Sequence, residues 1–419
     1  MRRSIAGVSA LALTLTLAAC GGGSGTTETA TPTGDATTTE AGGDKGGEGQ
    51  TLTVWVDETR TKPVEAAAAK FKEDTGVEVQ VVQKNFDDIR AEFNSQVPSG
   101  KGPDITVGAH DWLGEMVKNG VVSPIEIGDK AGEFQDVAIE AFTSDGQVYA
   151  VPYAVENIGL IRNTELASEA PATFDDMVKM GKDAGTQYPF LIQVDEKGDP
   201  YTMAPFQHSF GAYVFKQNDD GSYTSELGLA GEPGHNFANW LKDNGKNGTG
   251  LLSTSITYDI ATEQFAQGKA PFIIGGPWML EKFADLKLAI DPIPTTGSEV
   301  AAPFVGVQGF YISAKTPNAI LANNFLLNYI GSKDIQVEMY KAGGRVPALQ
   351  AAADEVKSDP IVAGYAKVAE NGIPMPSVPE MGAVWNFWGV TEAQIINGDV
   401  EPVAGWDKMV GDIEAAIKK

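Results

Sequence analysis

Along the body of the chain, short runs of alternating or β-prone apolar residues are separated by segments with helical spacing. Residues 51–56 (TLTVWV) and 77–83 (VEVQVVQ) read as strands. Between them, residues 62–75 (KPVEAAAAKFKEDT) predict a helix, with Pro63 in its first turn, alanines for propensity and Gly76 as the stop. Phe86, Ile89, Phe93 and Val97 keep helical spacing, and 103–107 is a short strand entering a loop at 108–111. Strand, helix, strand, helix, strand is the grammar of a parallel sheet with covered faces, whose ligand crevice lies beyond the carboxyl ends of the strands. The pattern resumes after residue 155. Thr173 predicts a helix start, Phe237 and Trp240 mark a short helix ending near Gly245, and 260–267 is another. Residues 269–274 and 304–312 read as strands; 318–330, 332–342 and stretches near 355–370, 381–396 and 406–418 read as helices. The expected fold class is α/β.

The first twenty residues follow a different pattern. Arg2 and Arg3 precede an apolar stretch at 6–17, too short for a membrane span of roughly 20 residues. Residues 1–19 are therefore expected to be a signal peptide. Leu17-Ala18-Ala19-Cys20 resembles the lipobox of bacterial lipoprotein precursors, which implies a lipidated Cys20 and tethering to the outer face of the cytoplasmic membrane. Residues 21–50 contain no Val, Ile, Leu, Met or aromatic, so 20–50 is expected to be a disordered linker. The remaining ~370 residues predict two domains. A formal charge of −25 disfavours nucleic acid as a partner. With Cys20 as the only cysteine, no intramolecular disulfide can form.

Chemistry is constrained mainly by what is missing. His110, His208 and His235 lack metal-ligand spacing, and no dinucleotide fingerprint, phosphate loop or nucleophile elbow is present, so no metal, cofactor or catalysis is expected. Asp57, Glu58, Asp111 and Glu156 each follow a predicted strand, where ligand loops gather. A carboxylate pair could serve glycoside hydrolysis at separations of about 5–5.5 or 6.5–9.5 Å, and this keeps a secreted glycosidase as a rival. Aromatic residues carry the sharper signal. Trp55, Trp112, Tyr153, Tyr201, Trp278, Trp385 and Trp388 include several in polar or turn-rich surroundings, and Trp385 and Trp388 are spaced to share a helix face. Flat rings beside carboxylates suit a sugar, whose apolar faces stack while its hydroxyls hydrogen-bond at the edge.

With these features in place, the sequence resembles the maltose/maltodextrin-binding proteins, extracytoplasmic receptors of ABC importers. The likeness rests on LTVWV (52–56), FKEDTGVEV (71–79), GKGPDITVGAHD (100–111), VPYAVENIGLIRN (151–163), GGPWML (275–280), PFVGVQGFYI (303–312) and IPMPSVPEMGAVW (373–385). It implies a two-lobed periplasmic-binding-protein-like fold with a hinge and an interlobe cleft. Lobe one is expected at 51–154 plus 309–355 and lobe two at 159–303 plus 361–419, with crossovers at 155–158, 304–308 and 356–360. The resemblance implies ligand contacts at Thr59, Arg60, Asp111, Trp112, Glu156, Asp199, Tyr201, Trp278 and Trp385, with Asp57 or Glu58 supplying an acid that Thr59 replaces; Trp388 joins the candidates from its spacing to Trp385. Departures also occur: Gly108 stands where a tryptophan is expected, with adjacent Trp112 as its expected substitute, and Gly389 replaces an arginine. The resemblance implies a monomer that delivers α-linked gluco-oligosaccharides, or trehalose or another α-glucoside, to a membrane permease.

Overall fold

Strand β1 (Thr51–Val56) forms where expected and buries Leu52, Val54, Trp55 and Val56. Helix α1 (Glu58–Thr75) begins four residues earlier than its composition suggested. The reason is a cap: Asp57 accepts the Arg60 amide, supplying a partner for an otherwise orphan first-turn N–H. Pro63 consequently lies inside the helix. Gly76, at φ 77°, ends the helix in the left-handed conformation and donates to the Lys72 carbonyl. The computed structural model describes residues 50–218 and 223–418. Cys20, the expected signal peptide and all of the expected linker but Gln50 lie outside the described residues.

The main sheet is mixed rather than parallel. Strands β2 (Glu78–Gln83) and β3 (Ile105–Ala109) flank β1 in parallel, pairing Val54 with Val81 and with Ile105. The long β8 (Phe304–Ser313) then runs antiparallel between β3 and β4 (Ala150–Glu156), with Phe310 opposite both Val107 and Val151. Short β9 (Val346–Pro347) closes that edge. A second sheet, β5 (Gly159–Asn163) between β6 (Phe272–Gly275) and β7 (Leu288–Asp291), is wholly antiparallel, with Ile161 opposite Ile273 and Ile290. Among these strands, parallel pairing thus holds for the first three and for the two-residue contact of Phe304–Val305 with Ile373–Pro374. The chain passes from β4 to β5 at residues 157–158 and returns through the start of β8, which enters the main sheet from the opposite direction and so runs antiparallel.

Two expected helices are each broken in two. Near 355–370 the chain forms Gln350–Val356 and then Pro360–Ala369, because a residue before proline avoids the α region and Asp359 caps the new start. Near 381–396 it forms Met381–Trp385 and Trp388–Asn397. Trp385 and Trp388 therefore end one helix and open the next instead of sharing a face of one, yet their rings still stack at 5.5 Å and 26°. Around the small sheet, a separate apolar cluster joins Ile161, Ile273, Ile290, Phe265, Phe283, Tyr365 and Val368.

Candidate functional site

The carboxyl ends of β1, β3 and β4 deliver three acidic residues to one region. Asp57, after β1, pairs with Arg60 and receives the Thr59 hydroxyl at 3.0 Å. Burial pushes its pKa up, but the Arg60 and Arg345 charges outweigh burial and hold the carboxyl below its usual range. Arg60 itself is 1% exposed. Its guanidinium bonds to Tyr153 and lies over the Phe86 ring, leaving Nη2 without a protein partner. The expected first binding loop is thus the first turn of a helix, with Arg60 turned inward and Glu58 exposed.

Asp111 lies in a short 3-10 turn (His110–Trp112) beyond β3. Its Oδ2 accepts the Trp385 indole N–H at 2.9 Å, while buried Oδ1 has no protein partner. Burial raises its pKa to about 6 against the opposing pull of Arg90 and Trp385. The Trp112 ring covers Gly108 so closely that a Cβ there would fall 2.6 Å from its Cε3. Trp112 occupies the space a side chain at 108 would need, but it is buried against Phe86 at 5.0 Å and does not present an open face.

Glu156, the last residue of β4, is held from two sides. Oε1 accepts the Gln308 amide at 2.7 Å and Oε2 accepts Arg345 Nε. Arg345 also reaches the Thr59 hydroxyl at 3.3 Å, and its guanidinium stands 5.1 Å over the Trp278 ring. Burial opposes the Arg345 charge, but Glu156, Tyr153 and Asp57 more than offset this and raise its pKa. Neither Arg345 nor Gln308 was among the sequence candidates. Gln308, a buried amide in an otherwise apolar strand, carried a visible signal; Arg345, after the Gly343-Gly344 turn, had only its charge before a short strand.

The opposing aromatic residues come from other elements. Tyr201 sits in the first turn of the helix Pro200–Ser209, 6.3 Å from the Trp278 ring. Its hydroxyl is buried and unpartnered, and burial, followed by the Glu156 charge, drives its pKa well up. Trp278 and Trp385 are half-buried. Trp388 is fully buried behind Trp385 and spends its indole N–H on Gln207 at 2.9 Å, which places it in the core instead of at a ligand surface. Asp199 is a helix cap, accepting the Thr202 amide and hydroxyl and the Gln193 amide. Gly389 also has a packing cause: a Cβ there would lie 2.7 Å from the Lys197 carbonyl oxygen.

The arrangement gathers Asp111, Glu156, Tyr201, Trp278 and Trp385, together with Arg345 and Gln308, and leaves Glu58, Arg60, Trp112, Asp199 and Trp388 in supporting or peripheral positions. Buried polar atoms are normally satisfied. Here Arg60 Nη2, Asp111 Oδ1, Gln193 Oε1, Tyr201 Oη and Gln308 Oε1 are not. They combine donors and acceptors without a surplus cation, which suits a neutral polyhydroxyl ligand better than an anion. Among the described residues, no three His, Cys, Asp or Glu side chains converge as metal ligands.

Residues 66–364 match the family of bacterial extracellular solute-binding proteins. The chain is 30% identical to the maltodextrin-binding protein MdxE of Bacillus subtilis over 80% of its own length and 82% of that protein. It is 27% identical to the maltotriose-binding protein of Pyrococcus abyssi, over 82% and 74% respectively. The structure superposes on the maltotriose-binding protein of Thermus thermophilus, solved with maltotriose, with a TM-score of 0.80 at 31% identity, covering 87% of this chain and all of that one. These similar proteins are binding proteins rather than enzymes. Family match, identity and superposition agree with the mixed α/β architecture: the chain has a periplasmic-binding-protein fold and belongs to the bacterial extracellular solute-binding proteins.

Proposed function

We propose that this protein captures maltose or short maltodextrins, α-linked gluco-oligosaccharides, and delivers them to the permease of an ABC importer. The observation that carries the reading is the presence of three unpartnered buried polar atoms, Asp111 Oδ1, Tyr201 Oη and Gln308 Oε1, on residues gathered with Trp278 and Trp385. Sugar rings would stack on those faces while their hydroxyls bond Asp111 Oδ1, Tyr201 Oη and Gln308 Oε1. Glu156 and Arg345 serve as a fixed ion pair at the edge. The names of similar proteins support the sugar class. Trehalose or another α-glucoside is the second reading, favoured by Gly108 and Gly389 at positions where the resemblance implied larger residues.

Capture works by closure of two lobes, 51–154 plus 309–355 and 159–303 plus 361–419, about crossovers at 155–158, 304–308 and 356–360. Ligand shifts the open–closed equilibrium only by its preference for the closed state. Lipid on Cys20, after removal of residues 1–19, would keep the receptor beside its permease. No covalent step is required, and Asp111 and Glu156 serve as hydrogen-bond partners. A tryptophan-fluorescence screen against α-linked and β-linked di- and trisaccharides tests the class. Saturable changes are expected with maltose and maltotriose; a response confined to β-linked sugars, or none, overturns the reading. Chromatography after prolonged incubation is expected to return the maltodextrin intact, whereas shortened products would favour a glycosidase.

A further inference from the structure

His110 belongs to no ligand, metal or catalytic set described above, yet its buried ring joins three parts of the chain. Two segments lead away from the small sheet. Residues 304–308 follow β7, and β10 (Ile373–Pro374) with Met375 follows the helix Pro360–Ala369, which packs on β7. The two segments pair in parallel, with Phe304 opposite Ile373 and Val305 opposite Pro374. Their ladder includes Ile373 N–H to the Pro303 carbonyl at 2.9 Å and Met375 N–H to the Val305 carbonyl at 3.1 Å. In a regular parallel ladder the next bond would run from Val307 N–H to the Met375 carbonyl. Instead the His110 imidazole stands between them: Nδ1 lies 3.1 Å from Val307 N and Nε2 lies 3.0 Å from the Met375 oxygen.

The backbone amide can only donate and the carbonyl can only accept, so Nδ1 is bare and Nε2 carries the proton. One neutral tautomer satisfies both strands, and burial agrees with it by lowering the ring's pKa to about 4. The adjacent residue is Asp111, whose carboxylate meets Trp385 ten residues beyond Met375.

We propose that His110 is a positioning residue, an imidazole spacer inserted into the ladder of two crossing segments that fixes their separation and thereby the place of Asp111 relative to Trp385. The ring replaces a direct backbone bond, so the segments splay at a set distance without leaving either polar group unmet. Its effect on sugar capture rests on the function proposed above; its effect on the strands does not.

The test uses the full-length chain without sugar first. Selective ¹⁵N labelling of the histidines at pH 7 is expected to show His110 neutral with its proton on Nε2; a proton on Nδ1 overturns the proposal in the unmodified protein. Hydrogen exchange at the Val307 amide is expected to accelerate at least tenfold in His110→Leu and to stay within threefold of wild type in His110→Gln, whose amide offers one acceptor and one donor. Unchanged exchange in His110→Leu overturns the spacer. Maltotriose titration of the same variants is then expected to show at least tenfold weaker binding for Leu and recovery for Gln. If the strand readouts hold while neither wild type nor variant binds maltotriose, the assigned sugar fails and the spacer stands. If wild type binds and His110→Leu binds equally, the link from His110 to Asp111 is wrong.

Discussion

On the main-sheet side of the site, charge is abundant and tied down. Asp57 holds Arg60, Glu156 holds Arg345, and Arg345 spans from Thr59 to the face of Trp278. On the other side, Tyr201, Trp278 and Trp385 offer uncharged surfaces, with Trp388 and Phe304 packed behind them. Removing one charge from the first side strands its partner in a buried place, so that side fails through stability. Removing one ring from the second side takes away contact area, so that side fails through affinity. The two sides are expected to separate when measured by unfolding and by binding.

The largest effect is expected at the ion pair. Arg345→Ala leaves Glu156 buried without its charge partner, at a cost of about 3–5 kcal/mol in chemical denaturation. Arg345→Lys is expected to recover only part of this, because Nη1 and Nε act on two different residues. A cost under about 1 kcal/mol for the alanine variant would mean the pair is solvated, and the contrast between the sides would lose its basis.

The next effect belongs to pH. His208, behind the aromatic side, donates from Nδ1 to the Ala302 carbonyl, and burial lowers its pKa from 6.5 to about 4. Between those values the unfolded chain binds the proton and the folded one does not. The contribution of His208 is therefore complete above pH 6.5 and lost as pH falls toward 4, by about 2–3 kcal/mol at pH 4.5. Asp111 has the opposite sign, because its raised pKa makes the folded state take up a proton first as pH falls through about 6. The His208→Asn variant isolates the histidine term: its denaturation midpoint is expected to decline less than that of wild type from pH 7 to 4.5. Equal declines would contradict a buried neutral ring.

Trp278→Ala is expected to weaken maltotriose binding by roughly tenfold or more, as loss of an aromatic anchor does. A change under about twofold would assign Trp278 to the core. The smallest effect is a gain. Glu392 is fully buried, both its oxygens lack partners, and burial, with the nearby Asp199 charge, drives its pKa well up. Glu392→Met keeps the shape and removes the unmet polar group, so thermal unfolding is expected to rise by the equivalent of about 1 kcal/mol. A lower melting temperature would show that the carboxyl has an unrecognised role.

Local pattern foretold much of this molecule. β1, β2, the helix Phe86–Gln96 and the Thr173 cap lie within a residue or two of where spacing and capping put them. Pairing partners were not legible, because alternation within a strand carries no record of its neighbour's direction; β8 shows this, antiparallel to both flanks. The same limit applies to side chains that act across the fold. The chemistry of Asp57 was visible, but its use as the cap of α1 depends on the chain turning directly into helix. Trp388 and Trp385 were both ligand candidates in sequence, and the break between their helices sends the first into the core and leaves the second beside Asp111. Arg345 is joined to Glu156 across 189 positions, and no local signal spans that distance.

The central claim, that the two sides meet around one α-linked sugar, is most directly tested by calorimetric titration of the wild-type protein with maltose, maltotriose and trehalose. Saturable heat at one sugar per chain from maltose or maltotriose is predicted, and the absence of heat from all three would contradict it.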